Sequence, residues 1–429
     1  MNGLYRFAAS LALALSVALP AVADVQISLG GQVRLRQQFD HRGFDTAAVW
    51  NQFGEMRSRV NVHAVVDGNT HAVVEFQDSR IAGDYTQFGS SASGDVNDGK
   101  NVDLHQAYLE IDTLFGTGWG GKAGRFEINQ GNERVFGAVG WNNVGRSWEG
   151  TQLWFDHERI RLTGFWLKRL ELLDSDYNRD FDIFGLYGNI KALKDAKFDL
   201  FAFYEHDADT NGYAKGLNKL DRFNIGTYYQ RTYQQFDFEL NGVFQFGTLP
   251  RDTLPDTGEV DISAFMLAFE AGYTFPGTAN ARIAAGIDYA SGDDSLGDDK
   301  YKAYDNLYYT GHKFRGYMDY FTASNVEGLM DIMLRGKIEP APGWKLEADA
   351  HYFSTAQDYI SPVDTTKTKD VGIEVDFVAT TTRVSGVKLE AGAAVFLPQE
   401  AWAAFKYSVA KDPDPGYWVW AMATANFGK

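Results

Sequence analysis

The chain has 429 residues, a formal net charge of −17, 15% aromatic residues and no cysteine. Without cysteine there are no disulfides and no thiolate metal sites, and the acidic total argues against nucleic acid as a partner. Beyond the N-terminus no stretch reaches the roughly 18 uninterrupted apolar residues of a membrane helix, whereas a membrane barrel, whose strands show only alternation, stays open.

Residues 1–23 read as a cleaved signal peptide: Arg6 is a weakly basic start, Phe7 to Leu19 an apolar run, and Ala21-Val22-Ala23 a small-residue cleavage site. The mature chain, 24–429, reads as one β-barrel carrying 39 basic and 57 acidic residues once Arg6 is removed, a net of −18.

The first strand, VQISLGGQVRLRQQF (25–39), puts Val25, Ile27, Leu29, Val33, Leu35 and Phe39 on one face and Gln26, Gln32, Arg34, Arg36 and Gln38 on the other. The same period of two recurs along the chain. Met56, Val60, Val62 and Val66 oppose Arg57, Arg59, Asn61 and His63. Phe236, Phe238, Leu240, Phe244 and Phe246 oppose Asp237, Glu239, Asn241 and Gln245. Trp344, Leu346 and Tyr352 oppose Lys345, Glu347, Asp349 and His351, and Val371, Ile373, Val375 and Phe377 oppose Asp370, Glu374 and Asp376. Eighteen candidate strands follow, near 25–40, 56–66, 70–79, 101–112, 121–128, 147–156, 159–168, 181–191, 196–206, 221–231, 235–247, 261–275, 280–291, 327–339, 343–354, 369–379, 386–396 and 416–427. Facing is ambiguous in 101–112, 159–168 and 181–191, where apolar residues sit at both parities.

The connections sort by parity. After even-numbered strands most are short, as at 67–69, 157–158, 192–195, 232–234, 276–279 and 341–343; after odd-numbered strands they are long and polar, as at 41–55, 80–100, 129–146, 207–220, 248–260, 292–326 and 397–415. Short turns on one rim and long loops on the other are the habit of bacterial outer-membrane barrels. An even strand count puts both termini on the periplasmic side. The last strand, YWVWAMATANF (417–427), ends in an aromatic of the kind the barrel-assembly machinery recognises, and Phe275 and Trp344 fit interfacial girdles. The expected fold is therefore an all-β transmembrane antiparallel barrel of about 18 strands. Its outer face would meet outer-membrane lipid and lipopolysaccharide, and its inner face a wet lumen.

Two stretches carry a family resemblance. In GRFEINQGNERVFGAVGWNNVGRSWEG (124–150) the marks are Gly124-Arg125, Gly131, Arg134, Gly137, Trp141, Asn143, Arg146 and Gly150. In YASGDDSLGDDKYKAYDNLYYTGHKFRGYMD (289–319) they are Ser291-Gly292-Asp293, Gly311-His312-Lys313, Gly316 and Asp319. With DLHQAYLEID (103–112) and GIEVDF (372–377), the chain resembles the alginate-export family of outer-membrane barrels over nearly its whole mature length. The resemblance implies an eighteen-stranded pore. It also implies, as an expectation, an anionic polysaccharide as cargo.

Strand parity sends Arg34, Arg36, Arg57, Arg59, Arg125, Arg159 and Arg161 to the lumen; Arg134 and Arg146 lie in the connection 129–146, which the resemblance suggests folds inward as a constriction. Guanidinium groups bind carboxylates at two points and stay charged at any working pH, so these nine are the expected pore-lining set for a polyuronate or its fragments. The competing use is scaffolding, with Glu75, Glu110, Glu127 and Glu149 as wall partners. The rival function is a general diffusion porin for small anions or sugars. GDDSLGDDK (292–300) reads as a solvated acidic loop, the eight histidines show no metal-ligand spacing, and His312 reads as fixing a loop through a hydrogen bond. No G-x-S-x-G or other nucleophile motif is present, so no enzyme activity, catalytic residue, metal or cofactor is expected.

Overall fold

A computed structural model describes residues 24–42, 50–82, 102–171, 180–208, 220–250, 259–295, 297–361, 365–402 and 414–428. The expected signal peptide, 1–23, lies outside the described residues, as do the middles of several long connections.

The elements in order are β1 (Val25–His41), β2 (Asn51–Val66), β3 (Thr70–Ile81), β4 (Asp103–Ile111), β5 (Trp119–Phe126), β6 (Trp148–His157), β7 (Ile160–Leu170), β8 (Phe181–Ile190), β9 (Ala196–Asp207), β10 (Leu220–Tyr233), β11 (Phe236–Pro250), β12 (Glu259–Thr274), β13 (Arg282–Ala290), β14 (Lys300–Tyr301), β15 (Leu329–Ile338), β16 (Trp344–Ile360), β17 (Lys367–Val384), β18 (Val387–Pro398) and β19 (Gly416–Gly428). Among these, β14 is a two-residue strand lying parallel to β12. The other eighteen run antiparallel to their neighbours, and β1 pairs with both β2 and β19, which closes the sheet into a barrel. Closure leaves no unpaired edge.

The sorting of connections holds for most of the barrel, although 361–366 on the long side is no longer than 112–118 and 275–281 on the short side. The turns 67–69, 158–159, 234–235 and 385–386 are tight, while 82–102, 127–147 and 291–328 are long. In the first turn Asp67 and Gly68 both have positive φ, 53° and 64°, the backbone that matches the twist of a tight hairpin.

Parity also sets the faces. Arg34, Arg36 and Gln38 are buried on the inside of β1 while Leu29, Leu35 and Phe39 are exposed outside. Around the barrel Val60, Leu153, Leu186, Phe244, Leu267, Ile332, Phe377 and Val419 form an exposed apolar band, with Phe275 and Trp344 toward the short-turn rim. Two adjacent facing expectations fail: Asp370, expected inside, is exposed and accepts from the Tyr352 hydroxyl. Val371 is fully buried, not outward. The ladder pairs Phe353 with Gly372 but Ser354 with Asp370, so Val371 is the extra residue of a bulge and turns inward.

The lumen is not wet throughout. The connections 127–147 and 291–328 fold into the barrel and pair there: Tyr308 donates its N–H to Val135 O (3.1 Å), Gly137 to Tyr308 O (2.9 Å) and Thr310 to Glu133 O (3.0 Å). Their apolar residues Val135, Phe136, Tyr304 and Tyr308 pack on inward Phe165, Leu167, Ile183, Phe203, Ile262 and Met266 in one dry core. A second core joins Met318 and Phe321 to Phe353, Val371, Phe396, Trp402, Trp418 and Trp420. Two of the three ambiguous strands, β7 and β8, are explained by the first core, whereas in β4 a register shift between Glu75 and Phe76 of the neighbouring strand leaves Leu104 and Leu109 both exposed. On β7 and β8 one apolar face looks outward and the other meets the inward loops.

Candidate functional site

The two inward connections narrow the barrel, and the wall holds them by charged side chains on both sides. Arg34 and Arg57 are directly opposite each other in the β1–β2 ladder. Both reach the same two carbonyls: Arg34 donates to Gly140 O (2.9 Å) and Asn142 O (3.0 Å), and Arg57 to Gly140 O (3.1 Å) and Asn142 O (2.9 Å). Their remaining bonds go to the amide oxygens of Asn143 and Gln32. Arg146, on the connection itself, donates to the carbonyls of Gly137, Tyr308 and Tyr309. Among the described residues none of these three hydrogen-bonds or ion-pairs with a carboxylate. Burial, and next the charge of Arg169, lower the Arg146 pKa to about 10, which leaves it protonated at neutral pH.

The other six expected arginines differ. Arg36 pairs with Glu55 and donates to Trp141 O (3.1 Å). Arg59 bonds Gln77 (2.6 Å) and pairs with Glu127 (3.0 Å) and Glu75 (3.7 Å). Arg125 pairs with Glu149 (2.6 Å), Arg134 with Asp288, and Arg161 with Asp156 (3.5 Å) while lying over the Trp154 ring. Arg159 occupies the exposed two-residue turn between β6 and β7, one residue before the strand that was expected to carry it. Of the anticipated wall acids, Glu75, Glu127 and Glu149 take arginines, and Glu110 takes Lys122 (3.7 Å).

Among the described residues, three cavities in the lumen adjoin these side chains. One of about 330 Å³ is lined by Arg125, Arg146, Lys168, Arg169 and Arg222, against Glu149 and Asp305. Arg222 holds the Asp305 carboxyl below its usual range despite the burial that would raise it. A second, about 490 Å³, lies on the long-connection side and includes Arg36, Gln38, Arg42, Trp141, Arg146, His312 and Trp418. A third, about 460 Å³, lies toward the short turns and includes Trp141, Arg282, His312, Lys337, Lys345 and Glu347. The first two share Arg146 and Leu307, and the last two share Trp141 and His312. At that partition the Trp141 and His312 rings stack at 3.9 Å and 4°, and the Arg36 guanidinium lies 4.4 Å from the Trp141 ring. His312 Nδ1 meets Asp319 at 3.0 Å, the loop-fixing bond expected of it.

Sequence reasoning missed Arg169, Arg222, Arg315 and Glu374. Arg315 and Arg134 converge on buried Asp288, and Glu374 accepts the N–H of Met318 (2.8 Å). Arg315 and Gly316 stood inside the second family-like stretch, and the parity of Arg222 on β10 placed it inside. The register that joins them to loops is not in the local sequence. In the acidic loop, Asp293 accepts the N–H groups of Ser295 (2.8 Å) and Lys302 (3.2 Å). Among the described residues no three His, Asp or Glu side chains are placed to hold a metal.

The alginate-export family profile matches residues 25–411. No curated protein matches the chain in sequence. The fold is similar to that of Pseudomonas aeruginosa OccD3 (OpdP), at 12% identity over 96% of each chain with a TM-score of 0.58. It is similar also to a BenF-like porin from Pseudomonas fluorescens Pf-5, at 10% identity over 95% of this chain and 100% of that one, TM-score 0.60. A third is Pseudomonas aeruginosa OccK2 (OpdF), solved in complex with glucuronate, at 10% identity, 95% and 99% coverage and a TM-score of 0.55. A closed eighteen-stranded barrel with an apolar outer band and a narrowed lumen, matched by the family profile over nearly its whole length, identifies the chain as a member of the alginate-export family and an outer-membrane channel.

Proposed function

We propose that this channel passes an anionic polysaccharide of the polyuronate type, or fragments of one, by passive diffusion. The observation that carries the reading is the set of three arginines, Arg34, Arg57 and Arg146, whose bonds at the inward connection go to neutral oxygens alone. Uncompensated charge inside a low-dielectric wall dominates the local field. The remaining expected arginines contribute less, because each pair with a carboxylate cancels much of its charge; Arg159 is assigned to the short-turn mouth. Many exchangeable carboxylate contacts let a polymer enter and still move on. The family name and the glucuronate complex of a barrel with the same fold support the choice of uronates. In this reading the long connections face the exterior and both termini the periplasm. The apolar band meets outer-membrane lipid and lipopolysaccharide, and the barrel-assembly machinery inserts the chain. No nucleic acid, cofactor or catalytic step enters the account.

A second reading, a porin for small anions or sugars, is favoured by the subdivision of the lumen into cavities of about 330 to 490 Å³. Proteoliposome swelling separates the two. A polyuronate channel admits glucuronate faster than glucose and is inhibited by oligouronates. Equal entry of both sugars, indifferent to oligouronates, leaves the porin.

A further inference from the structure

Arg34 and Arg57 form a twin guanidinium site that is occupied by the protein's own backbone. The two residues face each other across one rung of the ladder, an arrangement that repels unless an acceptor lies between them. The acceptors present are the carbonyls of Gly140 and Asn142, each bonded by both arginines. Between those carbonyls stands Trp141, whose ring is stacked on His312 and lines the cavities on both sides of the partition. A Cβ built on Gly140 would meet open space, so this stretch borders a void into which it can shift.

We propose that the peptide carbonyls at 140 and 142 are stand-ins for substrate carboxylates. A carboxylate arriving at Arg34 and Arg57 takes their place, withdraws Trp141 from His312 and joins the two cavities. The inference rests on the polyuronate reading and adds that the cargo opens its own path. Its chemical basis is that a carboxylate brings a full negative charge and two oxygens that guanidinium can bind at once, which a neutral carbonyl lacks, and it also neutralises the repulsion between the two arginines. The resident carbonyls compete at the high effective concentration of a tethered group, on the order of millimolar. A free uronate therefore acts at ~millimolar levels, and an oligomer, which presents many carboxylates, acts lower. The bonds that change are hydrogen bonds only, and no covalent step is involved.

The test uses the full mature protein in planar bilayers, with glucuronate as the probe and glucose as the control. The wild type should show a severalfold rise in conductance on adding glucuronate and none with glucose, and Arg34→Gln with Arg57→Gln should show no rise with either. Trp141→Ala should conduct severalfold more than wild type in salt alone, with no further rise. Glucuronate that only reduces the wild-type current, a rise that survives the double substitution, or a Trp141→Ala channel of wild-type conductance overturns the displacement. The reversal potential in the same recordings keeps the two ideas apart. A chloride-biased channel without the rise sinks the displacement alone; a cation-biased channel that still shows it sinks the polyuronate reading alone.

Discussion

Asp288→Asn is the substitution that most directly probes how the constriction is held. Asp288 on β13 is almost fully buried and takes Arg134 from one inward connection and Arg315 from the other. The amide keeps the shape of the side chain and removes the only carboxylate that either arginine meets among the described residues. Arg315 retains Asn306 (2.8 Å), and Arg134 retains the Phe314 ring at 4.0 Å, neither of which carries a counter-charge. Removing one partner of a buried pair costs ~3–5 kcal/mol. The wall strand keeps its ladder to β12 and β15, so this cost falls on docking of the loops and not on the barrel. At about 1.4 kcal/mol per factor of ten, the detached state becomes roughly two to three and a half powers of ten more populated. Trypsin cleavage after Lys313 or Arg315 in the folded, detergent-solubilised protein reads that population when reclosing is fast. The expected result is a cleavage rate raised by about that factor, with heat-modifiable gel mobility unchanged. Cleavage at the wild-type rate in a folded barrel would refute the anchoring argument.

Further outcomes follow from the faces and the rims. Leu267→Arg, mid-strand on the outer band, should lower the folded yield by an amount reflecting ~2–4 kcal/mol, while Gln26→Arg on the inner face should be accepted; equal folding of the two would invert the facing. An epitope inserted at Gly297 should be labelled on intact cells and one at Pro342 only after permeabilisation, and the reverse pattern would turn the barrel over. Selectivity should stay constant between ~pH 6 and ~8, because guanidinium groups carry it. A change centred near ~6.5 would shift the role to histidine.

The wall was legible from local sequence because a strand's period of two is local. Arg34 and Leu35 declare opposite faces by position alone, and the parity of loop lengths gives closure. Val371 escaped because a bulge changes parity without leaving a mark on the strand that carries it. The wet-lumen expectation failed over β7, β8 and β12 for a different reason. Phe165, Ile183 and Met266 are inward and apolar because residues of a distant loop, such as Tyr304 and Tyr308, pack against them. The partners of each arginine were equally hidden: Arg34 and Arg57 carry the same side chain as Arg36 and Arg59, and only the register and the inward loop decide that the first two meet carbonyls while the others meet Glu55, Glu75 and Glu127.

The central claim is that uncompensated arginines inside the lumen outweigh the acid on the rest of the molecule. Its most direct test is the reversal potential of the purified channel across a potassium chloride gradient, for the wild type and for Arg34→Gln with Arg57→Gln and Arg146→Gln. Exposed acids in the long loops are screened beyond ~8 Å at physiological salt, so the wild type should be biased toward chloride despite a net charge of −17 for the full sequence. The triple variant should lose that bias. A cation-selective wild type, or a chloride bias that survives the triple substitution, would contradict the account.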